Sequence, residues 1–248
     1  DLLYWHWSPN NTWSMNFELR GWNECLITYV LAASSRDYAI PASVYHRCWA
    51  VSDHFINGKE FYGIKLPLGF DLGGPLFFSQ YSFLGLDPRG LKDRYADYGQ
   101  QNVNHTLINY EHCVRNPNKF KGYGPDCWGL TASDTRDGYD AHSPTNDHGT
   151  ISPTAAVSAL PYAPEQSMRA IRHFYEDLGP RIWGPYGFTD AFNEGQGWYA
   201  KEYLAIDQGP IVVMIENHRS GLCWKLFMSC PEIKAGLTKL GFESPTMQ

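Results

Sequence analysis

Four acids are embedded among apolar and aromatic neighbours: Glu18 in Asn16-Phe17-Glu18-Leu19-Arg20, Glu24 in Gly21-Trp22-Asn23-Glu24-Cys25, Asp190 between Phe188 and Phe192, and Asp207 in Ala205-Ile206-Asp207-Gln208-Gly209-Pro210. Such surroundings strip water from a carboxyl and separate the pKa values of two acids, which is what a general acid and a general base at one centre require. Breaking a glycosidic bond uses such a pair: one protonated carboxyl for the leaving oxygen and one carboxylate for water or direct attack. Two of the four have ready structural alternatives. Asp207 precedes a helical pattern and could be an N-cap, and Glu24 could neutralise Arg20 or Arg47. Asp37, Asp177 and Glu232 lack apolar surroundings.

A sugar is gripped by flat rings on its C–H faces and planar polar groups on its hydroxyls. The chain carries 9 Trp, 16 Tyr and 13 Phe, 15% of its 248 residues, against 19% charged residues. Two stretches without periodicity mix rings and acids: 116–151, with Trp128, Asp134, Tyr139, His142, Asp147 and His148, and 184–203, with Tyr186, Asp190, Asn193, Trp198 and Glu202. The first exceeds the ~12–15 residues beyond which structureless loops are usually functional. Together they predict one carbohydrate-lined mouth on a rigid frame. Any single Trp fills a core seam as readily as a sugar site.

Other chemistries find little footing. There is no G-x-S-x-G, Walker loop, dinucleotide fingerprint or H-E-x-x-H. The six cysteines include no C-x-x-C pair, which suits buried thiols with room for one disulfide better than a metal or redox motif. His142, Asp147 and His148 offer a weak metal set in an acidic loop, and no metal or cofactor is expected. A formal charge of −6 without a dense Lys/Arg stretch argues against nucleic acid, and no apolar run is long enough for a membrane span.

The frame that must hold these residues is helical. Apolar spacing of three and four predicts helices over 21–34, 41–52, 75–84, 97–115, 152–160, 164–178, 207–219, 221–229 and 231–240, with Gly179 as a stop. Residues 59–70 predict a short hairpin or extended arm. Nine helices and almost no paired strands point to an all-α architecture of helical hairpins, spanning 1–248 as one domain.

Ordered motifs run through nearly the whole chain: Gly21-Trp22-Asn23-Glu24, Ile40-Pro41-Ala42-Ser43, Asp93 to Tyr98, Trp128 to Asp134, Leu160 to Glu165, Trp183 to Asn193, Ile206-Asp207-Gln208-Gly209 and Glu216 to Gly221. This series resembles the bacterial glucoamylase-like domain, a group that includes the glycoside hydrolase family 144 endo-β-1,2-glucanases. The resemblance implies an (α/α)6 toroid and an inverting hydrolysis of a glucan, most plausibly β-1,2-glucan, in a periplasmic or secreted setting. It implies Glu18 or Glu24 and Asp207 as the catalytic acids, and Arg94, Trp128, Asp134, Tyr139, Asp190 and Trp198 as sugar contacts. Nine short helices fall short of twelve, so the toroid is expected to lack its N-terminal helices here, or to receive them from a separate chain. A non-catalytic carbohydrate-binding or sensing module on the same frame is the alternative, and a transglycosylating domain a weaker one.

Overall fold

The computed structural model describes residues 2–247. Among them, nine α-helices alternate with short turns and four two-stranded antiparallel hairpins. Helix α1 (Leu26–Ser34) packs on α9 (Pro231–Leu240), burying Leu26, Tyr29, Val30, Ile233 and Leu237 around Trp22, Trp49 and Tyr98. Helix α1 begins later than its apolar spacing suggests because Asn23 Oδ1 accepts the Cys25 N–H at 2.8 Å and holds residues 21–25 in a turn. The stretch after Pro41 forms α2 (Ala42–Val44) and widens into a π-helical turn, Tyr45–Trp49. The expected arm is a hairpin, β1 (Glu60–Phe61) against β2 (Ile64–Lys65). Residues 76–84 form two 3-10 turns rather than an α-helix, Leu76–Ser79 and Tyr81–Leu84.

Helix α3 (Tyr98–Arg115) is buried although much of its buried face is polar. Asp97 caps it by accepting the Gln100 N–H at 3.0 Å, and Asn116 ends it in the left-handed region at φ 44°. Its buried amides substitute for strand partners in the neighbouring loops. Gln101 exchanges two hydrogen bonds with the Leu68 backbone, at 2.9 and 3.2 Å, and Asn109 two with Leu130, at 3.0 and 3.1 Å. His112 Nε2 lies 2.9 Å from Asp147 Oδ2, and Tyr123 donates to Asp147 Oδ1 at 2.7 Å. Burial alone would raise the Asp147 carboxyl, but hydrogen bonds from His112, Tyr123 and the Gly149 N–H outweigh it and hold it below its ordinary value. These contacts give the long loop its frame and commit Asp147 to structure, not to a metal with His142 and His148.

That loop also contains a hairpin that alternating hydrophobicity did not reveal, β3 (Ala132–Thr135) and β4 (Gly138–Ala141). Gly129, at φ +126°, leads into it; a Cβ there would meet Ala155 Cβ and Ala156 N at 3.0 Å, so glycine is what lets the loop lie against α4 (Pro153–Ser158). Helix α5 (Pro164–Arg172) passes into a π-helical turn, His173–Asp177. Gly179 does not stop the chain; Pro180 restarts it as α6 (Gly179–Ile182). Two small hairpins follow, β5 (Trp183–Gly184) with β6 (Gly187–Phe188), and β7 (Phe192–Asn193) with β8 (Trp198–Tyr199). Helices α7 (Ala205–Arg219), α8 (Leu222–Ser229) and α9 then pack in succession, α7 also against α4. Cys25, Cys113, Cys127, Cys223 and Cys230 stand as free thiols. No helix among the described residues is long and apolar enough to cross a membrane.

Candidate active site

Asp190, in the second polar-aromatic stretch, meets Asp207, which lies just beyond it in the first turn of α7. Helix α7 begins at Ala205, so Asp207 falls in its first turn; Leu204, not Asp207, occupies the cap position. The Asp207 side chain makes no capping bond, and its Oδ1 accepts a hydrogen bond from the Tyr81 hydroxyl at 3.1 Å. Thr154 Oγ1 donates to the Asp207 carbonyl at 2.8 Å and ties this turn to α4. Asp190 follows β6, and its Oδ2 accepts the backbone N–H of Asp134 at 2.7 Å. Both residues are 1% exposed, and each keeps one carboxyl oxygen, Asp190 Oδ1 and Asp207 Oδ2, without a hydrogen-bond partner among the described residues.

Two buried carboxyls coupled this closely resist ionising together, so the pair favours keeping one proton. Burial pushes the Asp190 carboxyl up to about 7, against the lowering effect of the Asp134 N–H, and the Asp207 charge adds to the rise. Burial also raises Asp207, while its interaction with Asp190 and the hydrogen bond from Tyr81 pull it back. Asp134 is raised by burial and by the charge of Glu202. Tyr139 stands directly opposite Asp134 in the β3–β4 register, so both side chains project from one face. Burial and then the charges of Asp207, Asp190 and Asp134 push its hydroxyl up to about 12, keeping it a neutral donor at the mouth. Tyr139 is exposed and also lines a cleft of about 460 Å³ with Asp140, His148 and Gln196.

A row of rings runs from this centre. Tyr81 stacks on Phe77 at 5.2 Å, Phe77 meets Phe78 at 4.8 Å, Phe78 meets Phe70 at 6.1 Å, and Phe70 stacks on His54 at 4.3 Å. It ends at a cleft of about 390 Å³ lined by His54, Asn57, Phe70, Asp71 and Thr145. Sequence reasoning missed Tyr81 and these phenylalanines, because Pro75 to Leu84 reads as ordinary core-facing helix.

Of the residues expected here, Asp134, Tyr139, Asp190 and Asp207 come together. Trp128 does not. It is fully buried in the second core against Tyr110, its indole N–H reaching the Gln166 carbonyl at 3.3 Å, and it has no face to offer a sugar. Arg94 is exposed and lies over the Tyr95 ring at 4.8 Å, beside the Tyr45–Asp93–Tyr98 network rather than the carboxyl pair. Trp198 is half-buried on β8, paired in register with Asn193. Glu18 forms an ion pair with Arg20. Glu24 is raised by burial, and its carbonyl accepts a hydrogen bond from Ser82, the residue after Tyr81. Neither Arg20 nor Arg47 pairs with Glu24 among the described ion pairs.

The family profile described as "Putative glucoamylase" matches residues 16–231. The chain belongs to this glucoamylase-like family. Within the family, an exo β-1,2-glucooligosaccharide sophorohydrolase acting at the non-reducing end, from Parabacteroides distasonis, is 42% identical over 257 residues, covering 96% of this chain and 36% of that protein. An endo-β-1,2-glucanase from Chitinophaga pinensis, solved with sophorotriose and glucose, superposes with a TM-score of 0.96 at 60% identity, covering 99% of this chain and 60% of that one. A Bacteroides uniformis protein bearing the same description as the family superposes with a TM-score of 0.98 at 62% identity, covering 100% of this chain and 60% of the other. This glucoamylase-like chain thus spans about 60% of those two solved relatives.

Proposed function

We propose that this chain carries part of the catalytic centre of a β-1,2-glucan hydrolase, with Asp207 as general base and Asp190 setting its proton affinity. The observation that carries this is the coupled pair of buried carboxyls, with the Tyr81 hydroxyl donating to Asp207 and Tyr139 near enough to feel the charge of both acids. The names of the relatives supply the linkage.

The pair itself sits too close for two carboxyls acting from opposite sides of the scissile bond, which inverting enzymes hold ~6.5–9.5 Å apart. Asp190 and Asp207 therefore work as one unit that activates water, and the proton for the leaving oxygen comes from a different carboxyl. Within this chain that role falls to Glu18 or Glu24, and burial of Glu24 favours the protonated form an acid needs. Tyr139 and Asp134 would contact the sugar nearest the pair, and Phe77, Phe78 and Phe70 would give following sugars a row of apolar faces.

The same reading takes the helices as an incomplete (α/α)6 toroid. Ile206 and Val212 on α7 and Leu222 and Leu226 on α8 are exposed, and a groove of about 560 Å³ beside them is lined by Trp183, Tyr186, Ile211 and Ile215. Such a face suits the further helices of a toroid, supplied by the same polypeptide or by a separate chain. A periplasmic or secreted location is part of the proposal on family resemblance alone.

The test is product analysis after incubation with linear β-1,2-glucan. Release of β-1,2-linked oligosaccharides, with β-1,3- and β-1,4-glucans left intact, is the expected result. Oligosaccharide binding by calorimetry with no new reducing ends would select the non-catalytic alternative.

A further inference from the structure

Cys127, His173 and Glu194 arrive at one place from three elements distant in sequence. Cys127 closes a tight turn through reciprocal backbone hydrogen bonds with Gly124, at 3.0 and 3.1 Å. His173 opens the π-helical turn after α5, and Glu194 follows β7 in the turn to β8. A thiol sulfur, an imidazole nitrogen and a carboxylate oxygen, one from each, all lie within 4.8 Å of one another. Cys127 is buried and the other two are half-buried, so the donors stand at the edge of the second core where solvent still reaches.

Two further features suit an ion. His173 Nδ1 is 2.7 Å from Asp177 Oδ2. That contact orients the ring and leaves Nε2 free, which is how a carboxylate typically sets a metal-binding histidine. Gly122 lies against the carboxylate with φ +88°, and a Cβ there would sit 2.6 Å from Glu194 Oε1. Glycine suits this left-handed backbone position and lets Glu194 keep its present placement.

We infer that Cys127, His173 and Glu194 form a binding site for a thiophilic divalent cation, zinc above all. A sulfur, nitrogen and oxygen set selects zinc over calcium or magnesium, whose ligands are oxygens. Zinc bonds of ~2.3 Å to sulfur and ~2.0 Å to nitrogen place tetrahedral donors about 3.3–3.8 Å apart, so the three side chains close by up to about 1.5 Å on binding. The Zn–S bond forms as the Cys127 S–H proton leaves to solvent, with no change of oxidation state. Water completes the fourth position. The ion clips the Gly124–Cys127 turn to the end of α5 and to the β7–β8 turn, and it shares no ligand with the carboxyl pair.

Titration of the metal-stripped chain with Co2+, then Zn2+, tests this. One equivalent of Co2+ should bind with a thiolate-to-cobalt charge-transfer band in the near ultraviolet, Zn2+ should displace it, and Zn2+ should raise the melting temperature. Asp177→Asn should weaken Zn2+ binding ~10- to 100-fold by releasing the His173 ring. Cys127→Ser should abolish the charge-transfer band; because Cys127 is buried, His173→Gln and Glu194→Gln at half-buried positions supply the same test without entering the core, each expected to weaken binding at least about tenfold. Absence of stoichiometric Co2+ binding by the folded wild type, or affinity unchanged in His173→Gln and Glu194→Gln, would overturn the assignment.

Discussion

Asp190 and Asp207 form a coupled pair of buried carboxyls, Asp190 Oδ2 accepting the Asp134 backbone N–H at 2.7 Å and Asp207 Oδ1 the Tyr81 hydroxyl at 3.1 Å. The pair is thus clamped on both sides by donors that favour its ionised form, inside surroundings that favour its protonated form. The balance between these determines when the centre can accept a proton.

The pair predicts an inverse dependence of stability on pH. Burial holds the Asp190 carboxyl up at about 7 in the folded chain, above its ordinary value when unfolded, so between those values the native state binds more protons than the unfolded one. Stability contributed by this group is greatest below the unfolded pKa, falls as pH rises toward 7, and levels off above it. Asp190→Asn should flatten that part of a melting-temperature profile measured from pH 4 to 8, and should raise the melting temperature at pH 8.

Removing the Tyr81 hydroxyl withdraws a donor that lowers Asp207. Tyr81→Phe should therefore move the acidic limb of the kcat/KM profile to higher pH and reduce kcat by about tenfold, with the ring row intact. A limb that stays in place would separate Tyr81 from the base.

Glu18 and Glu24 differ in setting, one paired with Arg20 and the other raised by burial. Glu24→Gln should cost ~10²–10⁴ in kcat if it donates the proton, and Glu18→Gln should then cost only a few-fold; the reverse result assigns the role to Glu18. Leaving-group dependence of the rate reads the same assignment independently, because loss of the acid hurts poor leaving groups most.

Trp128 fills a core, so its truncation is a packing event. Trp128→Ala should destabilise the chain by ~3–5 kcal/mol in denaturant unfolding. Trp128→Phe, which keeps much of the packing, should leave KM within about twofold; a large rise in KM would return Trp128 to the sugar site.

The helical frame was legible because Pro164, Pro231 and Asp97 punctuate clear apolar periods, and Asp207 because it sits in an apolar helix start. Three things escaped for physical reasons. Buried α3 carries Gln101, Asn102, His105 and Asn109 where an apolar stripe would announce burial. The β3–β4 hairpin is held by ladder hydrogen bonds across a polar sequence, so alternation gives no signal. The coupling of Asp190 with Asp207, the approach of Tyr81, and the convergence of Cys127, His173 and Glu194 are all long-range contacts that no local spacing encodes.

The most direct test of the catalytic centre is the hydrolysis rate of linear β-1,2-glucan by Asp207→Asn beside wild type, with oligosaccharide affinity measured on both. The proposed base predicts a fall of ~10²–10⁴ in kcat with affinity retained. Wild-type turnover by Asp207→Asn would contradict it.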